Sequence, residues 1–522
     1  MLNISPELTQ EQLLKKLESA LLRIDRLEKV NALQAAELRL LRIKKYGAGA
    51  ERLSDGQLAL LELEPGVCSA EVAGEAAQDE NSKQVARKPP AKQPVREALP
   101  AHLPREERIV QVSAQDCLCA QCGGAKKLIG YQTSERLAVK PIELYVEVTK
   151  REKFACSKCE EMGVSIAPVP ATIIEKGILA DSLVVDVLLK KYAEHNPLYR
   201  QAVGMERETG VEISQATLSS SVLKAGELLA DITAAMKVDL LAGGYIQADE
   251  TTVPVQSERS KGKNHQAYFW EYSLPRGAVV YDFRMGRAQE GPKHFLGNFA
   301  GRLQCDGYAA YGKIGGPGLL HFGCWAHVRR KFYDASKLDP KDARSVAVVV
   351  AIGKLYDVER DAREAKLDTS AREALRTKEC PALLGALKKL IGETQALVLP
   401  KSALGKACAY AFNQWERLER YAGQGHGMVE IDNNWAENAM RGIALGRKNW
   451  IQIGSESAGP KIAAILSVLE TCKRLQIKAR DYLLDVLPQL AYRKTRPELT
   501  DLKAFAELTP EAWWKARPDS AR

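Results

Sequence analysis

The chain has 522 residues, 45% hydrophobic and 27% charged, a composition that excludes a disordered or collagen-like chain and suits a folded protein of several domains. Its formal net charge of +9 favours a polyanionic partner without identifying one. Eleven cysteines are too sparse for a disulfide scaffold, and no apolar run approaches the ~18 residues that span a bilayer. The first residues include Asn3, Pro6, Glu7 and Gln10, not the basic-then-apolar run of a secretion signal. The expected setting is the cytoplasm, with thiols reduced unless a metal holds them.

Residues 7 to about 45 predict one helix. Heptad spacing places Leu17, Ile24, Asn31 and Leu38 at one seam position and Leu13, Ala20, Leu27, Gln34 and Leu41 at the other. A seam Asn often sets register in a two-stranded coiled coil, so self-association through residues 7–45, within an N-terminal coiled-coil region of residues 1–65, is expected. The alternative is an amphipathic helix packed on its own chain. Residues 66–107 predict a linker. Acidic residues (Glu71, Glu75, Asp79, Glu80) give way to Lys83, Arg87, Lys88, Lys92 and Arg96 among Pro89, Pro90 and Pro94. Such a stretch cannot bury a core. It is a solvated tether or a basic arm on DNA, and the two are compatible.

Residues 108–167 carry the strongest local motif. Cys119-Ala120-Gln121-Cys122 and Cys156-Ser157-Lys158-Cys159 are two CxxC pairs about thirty residues apart. Four thiolates at this spacing suit one tetrahedral Zn²⁺ in a zinc-ribbon-like module. Cys117 is an alternative to Cys119. Between the pairs, Ile142 to Val148 alternates like a strand, with Ile142, Leu144, Val146 and Val148 on one face.

Residues 168–242 predict helices. Leu183 to Tyr192 is one, and Pro197 starts another. Glu208-Thr209-Gly210-Val211 is a turn, and Ile213 to Leu218 opens a third. Helix, glycine turn and a helix beginning with Ser214, Gln215 and Thr217 has the look of a helix-turn-helix, whose polar first turn reaches bases or phosphates. Ordinary helical hairpins share the pattern.

Residues 243–459 hold the acids. Tyr245 to Val255 predicts a strand with Asp249 and Glu250 in its middle, one on each face. Arg302 to Tyr308 predicts a second strand, with Asp306. Asp432 to Arg441 opens a helix with Glu437. Two acids on strands and one on a helix is a layout for divalent metal and phosphoryl transfer, since Mg²⁺ takes carboxylate oxygens and keeps positions open. Strands Gln266 to Ser273 and Ala278 to Arg284, a helix near Lys293 to Phe299 and a strand from His321 to Trp325 complete the expected order. Between Asp306 and Glu437 the chain reads as helices (Ala343 to Glu364, Ala371 to Arg376, Leu383 to Leu397, Leu404 to Tyr421), an insertion over about 340–425. Residues 460–522 predict two helices to residue 492 and a loosely held tail.

Glu437 has rivals. Glu430 precedes the helix on an extended segment, and Asp432 is placed as an N-cap. Asn434 and Glu437 have capping-box spacing, which would give Glu437 a structural role. In the other reading Glu437 shares a helix face with Asn433 and Arg441, and Arg441 and Lys448, the latter after a turn at Gly446, contact DNA phosphates.

The blocks Ala248-Asp249-Glu250-Thr251-Thr252-Val253, Cys305-Asp306-Gly307-Tyr308 and Asn433-Asn434-Trp435-Ala436-Glu437-Asn438 resemble the three catalytic blocks of the IS66 family of DDE transposases. Gly323 to Phe332, Gly446 to Trp450, Gly454-Ser455, Leu469 to Lys473 and Tyr482 to Leu487 extend the resemblance, which runs from about residue 10 to 490. It implies a multidomain α+β chain with an RNase H-like catalytic domain, Asp249, Asp306 and Glu437 as ligands of Mg²⁺ (or Mn²⁺), and a small zinc-binding domain. It implies DNA partners, namely terminal inverted repeats and target DNA, and accessory proteins encoded alongside. Action would be at the bacterial nucleoid. The segment Lys44 to Leu53 departs from the family's more basic block, with Ala48-Gly49-Ala50 in its place. His327 is a candidate for the scissile phosphate or a helix-surface histidine.

Three functions are therefore weighed. One is a DDE transposase that cleaves and joins DNA. Another is a zinc-dependent DNA-binding regulator, or an inactive derivative, whose acids are only structural. The third is a related nuclease without strand joining. No GxxxxGK[ST] is present, so nothing suggests an ATPase.

Overall fold

The structure is a computed structural model that describes residues 143–155, 164–257, 263–312 and 314–517. The N-terminal helix, the linker and Cys117, Cys119, Cys122, Cys156 and Cys159 lie outside the described residues. Within them the chain is mixed α and β. None of its described helices is long and apolar enough to cross a membrane.

A short antiparallel pair comes first, β1 (Lys153–Ala155) with β2 (Val164–Ile166). Cys156 and Cys159 fall in the sequence between them. The strand expected over Ile142 to Val148 does not form in its described part: residues 143–148 have no regular structure, and Tyr145, Val146 and Val148 are exposed. Alternation makes a strand only where a neighbour receives its backbone groups and covers its apolar face.

Three helices follow: α1 (Asp181–Tyr192), α2 (Leu198–Thr209) and α3 (Gln215–Ala242). Gly210 ends α2 in the left-handed region at φ 71°, where an L side chain is strained. Ser214 caps α3 by accepting from the Thr217 N–H at 3.1 Å. At 28 residues α3 is a central core helix. It is crossed by α11 (Ala458–Arg474) so closely that a Cβ on Gly226 would come 2.6 Å from the Lys461 carbonyl.

The central sheet holds β3 (Tyr245–Val255), β4 (His265–Ser273), β5 (Val279–Arg284), β6 (Arg302–Gln304) and β7 (Leu320–Phe322), in the order β5-β4-β3-β6-β7. The β5–β4–β3 part is antiparallel, while β3, β6 and β7 run parallel. The free edge of β5 is covered by α11. Thr471 Oγ1 and Ser467 Oγ accept from the Val279 and Tyr281 N–H groups at 2.9 and 2.8 Å. Helix α4 (Glu290–Leu296) packs on one face, where Phe295 stacks on Tyr272 with ring centroids 3.7 Å apart. It begins and ends three residues earlier than expected, because Gly297 takes φ 51° and stops it.

Two further strands are shorter than their sequence patterns. β6 stops at Gln304, so Asp306 sits just beyond the strand, where its Oδ1 accepts the Tyr308 N–H at 2.8 Å and Gly307 turns at φ 87°. β7 stops at Phe322, and Trp325 already begins α5 (Trp325–Leu338). Its indole N–H donates to the Leu418 carbonyl at 3.0 Å, which anchors it in helical packing.

The insertion comprises α5, α6 (Ala343–Glu364), α7 (Thr369–Ala396), α8 (Ala403–Asn413) and α9 (Trp415–Glu419), which share a second hydrophobic core with Tyr245 and Phe322. The two helices expected over 371–397 are one. Pro381 lies inside α7 on its exposed side, where the carbonyl left without a donor can face water. Buried Cys380, Leu384, Leu387 and Ile391 hold the helix together across it. The single helix expected over 404–421 breaks at Gln414, which has φ −104° and ψ 0°. A buried bidentate pair, Arg376 to Glu359 with both N···O distances 2.7 Å, sits inside this unit, and Arg376 Nη1 donates to the Val429 carbonyl at 2.8 Å.

Helix α10 (Asn434–Trp450) returns to the sheet, followed by α11, α12 (Ala479–Lys494), α13 (Leu502–Ala506) and α14 (Pro510–Lys515). The described part of the tail is packed, not loose. Trp513 is buried against Tyr482 and donates to Asp485 at 2.7 Å.

Candidate active site

The acids converge where β3, the end of β6 and the start of α10 meet. A buried polar network sets this junction. Gln247 Nε2 donates to Gln304 Oε1 at 2.9 Å and to the Asp432 carbonyl at 2.7 Å. Gln304 Nε2 donates to the Gly323 and Glu430 carbonyls at 3.0 and 2.8 Å, and Tyr245 Oη donates to Gln304 Oε1. Each Gln lies two residues before an acid, Gln247 before Asp249 and Gln304 before Asp306. The strands are thus tied to the backbone of 430–432, and Glu437 follows one turn later. The repeated Gln-x-Asp is the sequence signal for this network, and pattern reasoning missed it.

Asp249 stands mid-strand, opposite Glu271 of β4. Burial pushes its carboxyl well above the usual range, and the charges of Glu437, Glu250 and Asp306 push it further. Glu437 lies in the first turn of α10, its Oε1 3.3 Å from His327 Nδ1 and its Oε2 3.8 Å from Arg330. Both His327 Nδ1 and Glu437 Oε1 are buried without a hydrogen-bond partner among the described residues. Asp306 is half-buried, and its carbonyl accepts from Tyr410.

Glu250 points to the opposite face. There Arg287 holds it at 2.5 Å and Tyr311 donates to it at 3.4 Å. Glu430 is engaged by Arg372 at 3.2 Å, and Asp432 accepts from Tyr356 at 2.9 Å and from the Asn434 N–H at 3.2 Å. The capping box weighed as the alternative role for Glu437 does not form. The N-cap is Asn433, without a side-chain cap bond, and Glu437 is turned toward His327 and Arg330.

His327 lies on α5 with a quarter of its side chain exposed and faces Glu437, not open surface. Arg441 is half-buried one turn beyond Glu437, and Lys448 is exposed in the last turn of α10. The turn expected at Gly446 is absent. Gly446 is inside α10, where a Cβ would lie 2.5 Å from the Trp450 indole nitrogen, so the glycine serves a close approach. Ser214 and Thr217 are engaged with each other at 2.9 Å at the start of α3, and Gln215 beside them is exposed.

A family model described as "Transposase IS66 family" matches residues 176–461, more than half of the chain and the whole of this site. The chain belongs to the IS66 transposase family. A second model, "zinc-finger binding domain of transposase IS66", matches residues 116–160 and supports structural zinc in this IS66 chain. A third, "Transposase C of IS166 homeodomain", matches residues 34–108, which include the stretch expected to be a tether. Among relatives, the uncharacterized protein y4qI of Sinorhizobium fredii is 31% identical over 506 residues, covering 92% of this chain and 88% of the relative. The uncharacterized proteins y4jD and y4hP of the same organism are 30% and 29% identical over 412 and 515 residues. They cover 76% and 92% of this IS66 transposase chain, and 79% and 89% of their own.

Proposed function

We propose that the chain is a DNA transposase that binds the terminal repeats of its element and catalyses strand cleavage and strand transfer. The convergence of Asp249, Asp306 and Glu437 from three separate elements carries this reading. Burial first, and then the charges of Glu437, Glu250 and Asp306, raise the Asp249 carboxyl, and a divalent cation held by the three acids would relieve that repulsion. The donor set fits Mg²⁺ or Mn²⁺, which when bound supplies Lewis-acid stabilisation of charge developing on the phosphoryl oxygens.

The protein's own part is to hold these carboxylates where the Gln247–Gln304 network sets them. Hydrolysis of a phosphodiester at the element end frees a 3′-OH; attack of that hydroxyl on a target phosphodiester forms the new P–O bond and breaks the target's P–O3′ bond, releasing the target's own 3′-OH. Arg441, Lys448 and His327 are assigned to the DNA backbone near the acids, and Ser214, Gln215 and Thr217 to end recognition. The strand order β5-β4-β3-β6-β7, with an antiparallel hairpin unit followed by parallel strands, supports an RNase H-like catalytic domain over 243–459. Zinc held by Cys119, Cys122, Cys156 and Cys159 would support an end-binding module, and the N-terminal helix would pair chains.

The test is cleavage of DNA carrying the flanking element ends by the purified full chain. Cleavage in Mg²⁺ that disappears in Asp249→Asn, with DNA binding retained, is the expected result. Equal cleavage by Asp249→Asn overturns the assignment.

A further inference from the structure

Cys324, His327 and Glu437 each offer one ligand atom, and these atoms lie within 4.8 Å of one another. Cys324 is buried immediately before α5 and His327 is one turn along it, so the spacing i, i+3 puts thiol and imidazole on one side. Burial and the charges of Glu437 and Asp432 push the Cys324 thiol well above its usual range, with the backbone N–H groups of Asn433 and His327 opposing this only in part, so a metal held here would displace a thiol proton. His327 Nδ1 and Glu437 Oε1 face each other at 3.3 Å, buried and without completing a hydrogen bond. Buried polar atoms left in this way are costly unless a third group satisfies them.

The donor chemistry separates this cluster from its neighbour. Mg²⁺ takes oxygen ligands, whereas sulfur, nitrogen and one carboxylate oxygen are the set that Zn²⁺ prefers, three protein ligands leaving a fourth position open. Glu437 belongs to both sets. We infer that Cys324, His327 and Glu437 form a second, inhibitory zinc site that withdraws Glu437 from the carboxylate cluster. The inhibition rests on the catalytic reading of Glu437, but the zinc site does not. Because zinc binds such donors more tightly than magnesium, trace Zn²⁺ would act against a large excess of Mg²⁺.

The experiment uses the full-length reduced chain, its cysteine-pair module intact, equilibrated with a small excess of Zn²⁺ and desalted. Elemental analysis is expected to find one zinc more per chain in the parent than in Cys324→Ser. His327→Ala, at a partly exposed position, is expected to lose the same ion and guards against a Cys324→Ser variant that fails to fold. In the cleavage assay with Mg²⁺, half-inhibition by added Zn²⁺ is expected to need at least tenfold more zinc in Cys324→Ser. Equal zinc contents in the parent and both folded variants overturn the site whether or not the chain cleaves DNA. A one-zinc difference with equal zinc sensitivity overturns the inhibitory role. If the parent bound the extra zinc but cleaved no DNA in Mg²⁺ even before zinc was added, the site would stand and the catalytic reading would fail, and the inhibition with it.

Discussion

Asp249 and Glu271 are directly opposite residues on the antiparallel pair β3–β4, so their side chains leave the sheet on the same face. Glu271 is fully buried, neither of its carboxyl oxygens has a hydrogen-bond partner among the described residues, and the Arg474 guanidinium lies 3.9 Å away. Burial raises its carboxyl from 4.5 to about 7. A raised acid binds its proton more tightly in the folded chain than in the unfolded one. Its favourable contribution is therefore complete below pH 4.5 and is lost as the pH rises toward about 7. The slope from one proton is at most about 1.4 kcal/mol per pH unit. Glu271→Gln removes that slope. Thermal melts of parent and variant at a series of pH values are expected to diverge between these limits, with Glu271→Gln the more stable at pH 8. Parallel curves would show that Glu271 is not protonated in the fold.

Glu437→Gln distinguishes charge from structure at the head of α10. No capping-box bond depends on the Glu437 carboxylate, so the variant is expected to melt with the parent and to bind DNA ends normally. Cleavage in Mg²⁺ is expected to fall roughly 100-fold or more, the scale on which losing one stabilising group in a site acts. A Glu437→Gln protein with substantial Mg²⁺-dependent cleavage would remove Glu437 from the site.

The Arg376–Glu359 pair is a stability test of the helical insertion. Glu359→Ala leaves the buried guanidinium without its carboxylate, a change that costs about 3–5 kcal/mol. Arg376 also donates to the Val429 carbonyl, three residues before Asp432. The loss is therefore expected to reach the segment that positions Glu437 and to lower cleavage as well as denaturant resistance. Unchanged chemical denaturation would show that the pair contributes nothing net.

Structural zinc gives a fourth expectation. Cys122→Ser and Cys156→Ser should each lose one zinc per chain relative to the parent, and DNA-end binding with it, since metal binding and local folding are coupled. Elemental analysis of freshly purified, reduced protein checks this, and an unchanged zinc content in either variant removes that cysteine from the ligand set.

Periodicity and turn chemistry determined much of this protein directly. β3 runs over the residues its β-branched pattern marks, Tyr245 to Val255, and α6 over Ala343 to Glu364. The three acid blocks, the two CxxC pairs and the helical insertion are likewise legible along the chain, because each depends on residues close in sequence. What local pattern could not decide is where an element stops when the reason lies elsewhere. β6 ends at Gln304 because Gln304 is tied into a network with Gln247, Gly323 and Glu430, and α7 passes through Pro381 because the second core grips both sides. The partners of neighbouring acids were also chosen by folding: Glu250 meets Arg287, Glu430 meets Arg372, Asp432 meets Tyr356, and Glu437 is turned toward His327. Those partners are 37, 58, 76 and 110 residues away in the chain, separations at which only tertiary packing, not local propensity, chooses which charge meets which.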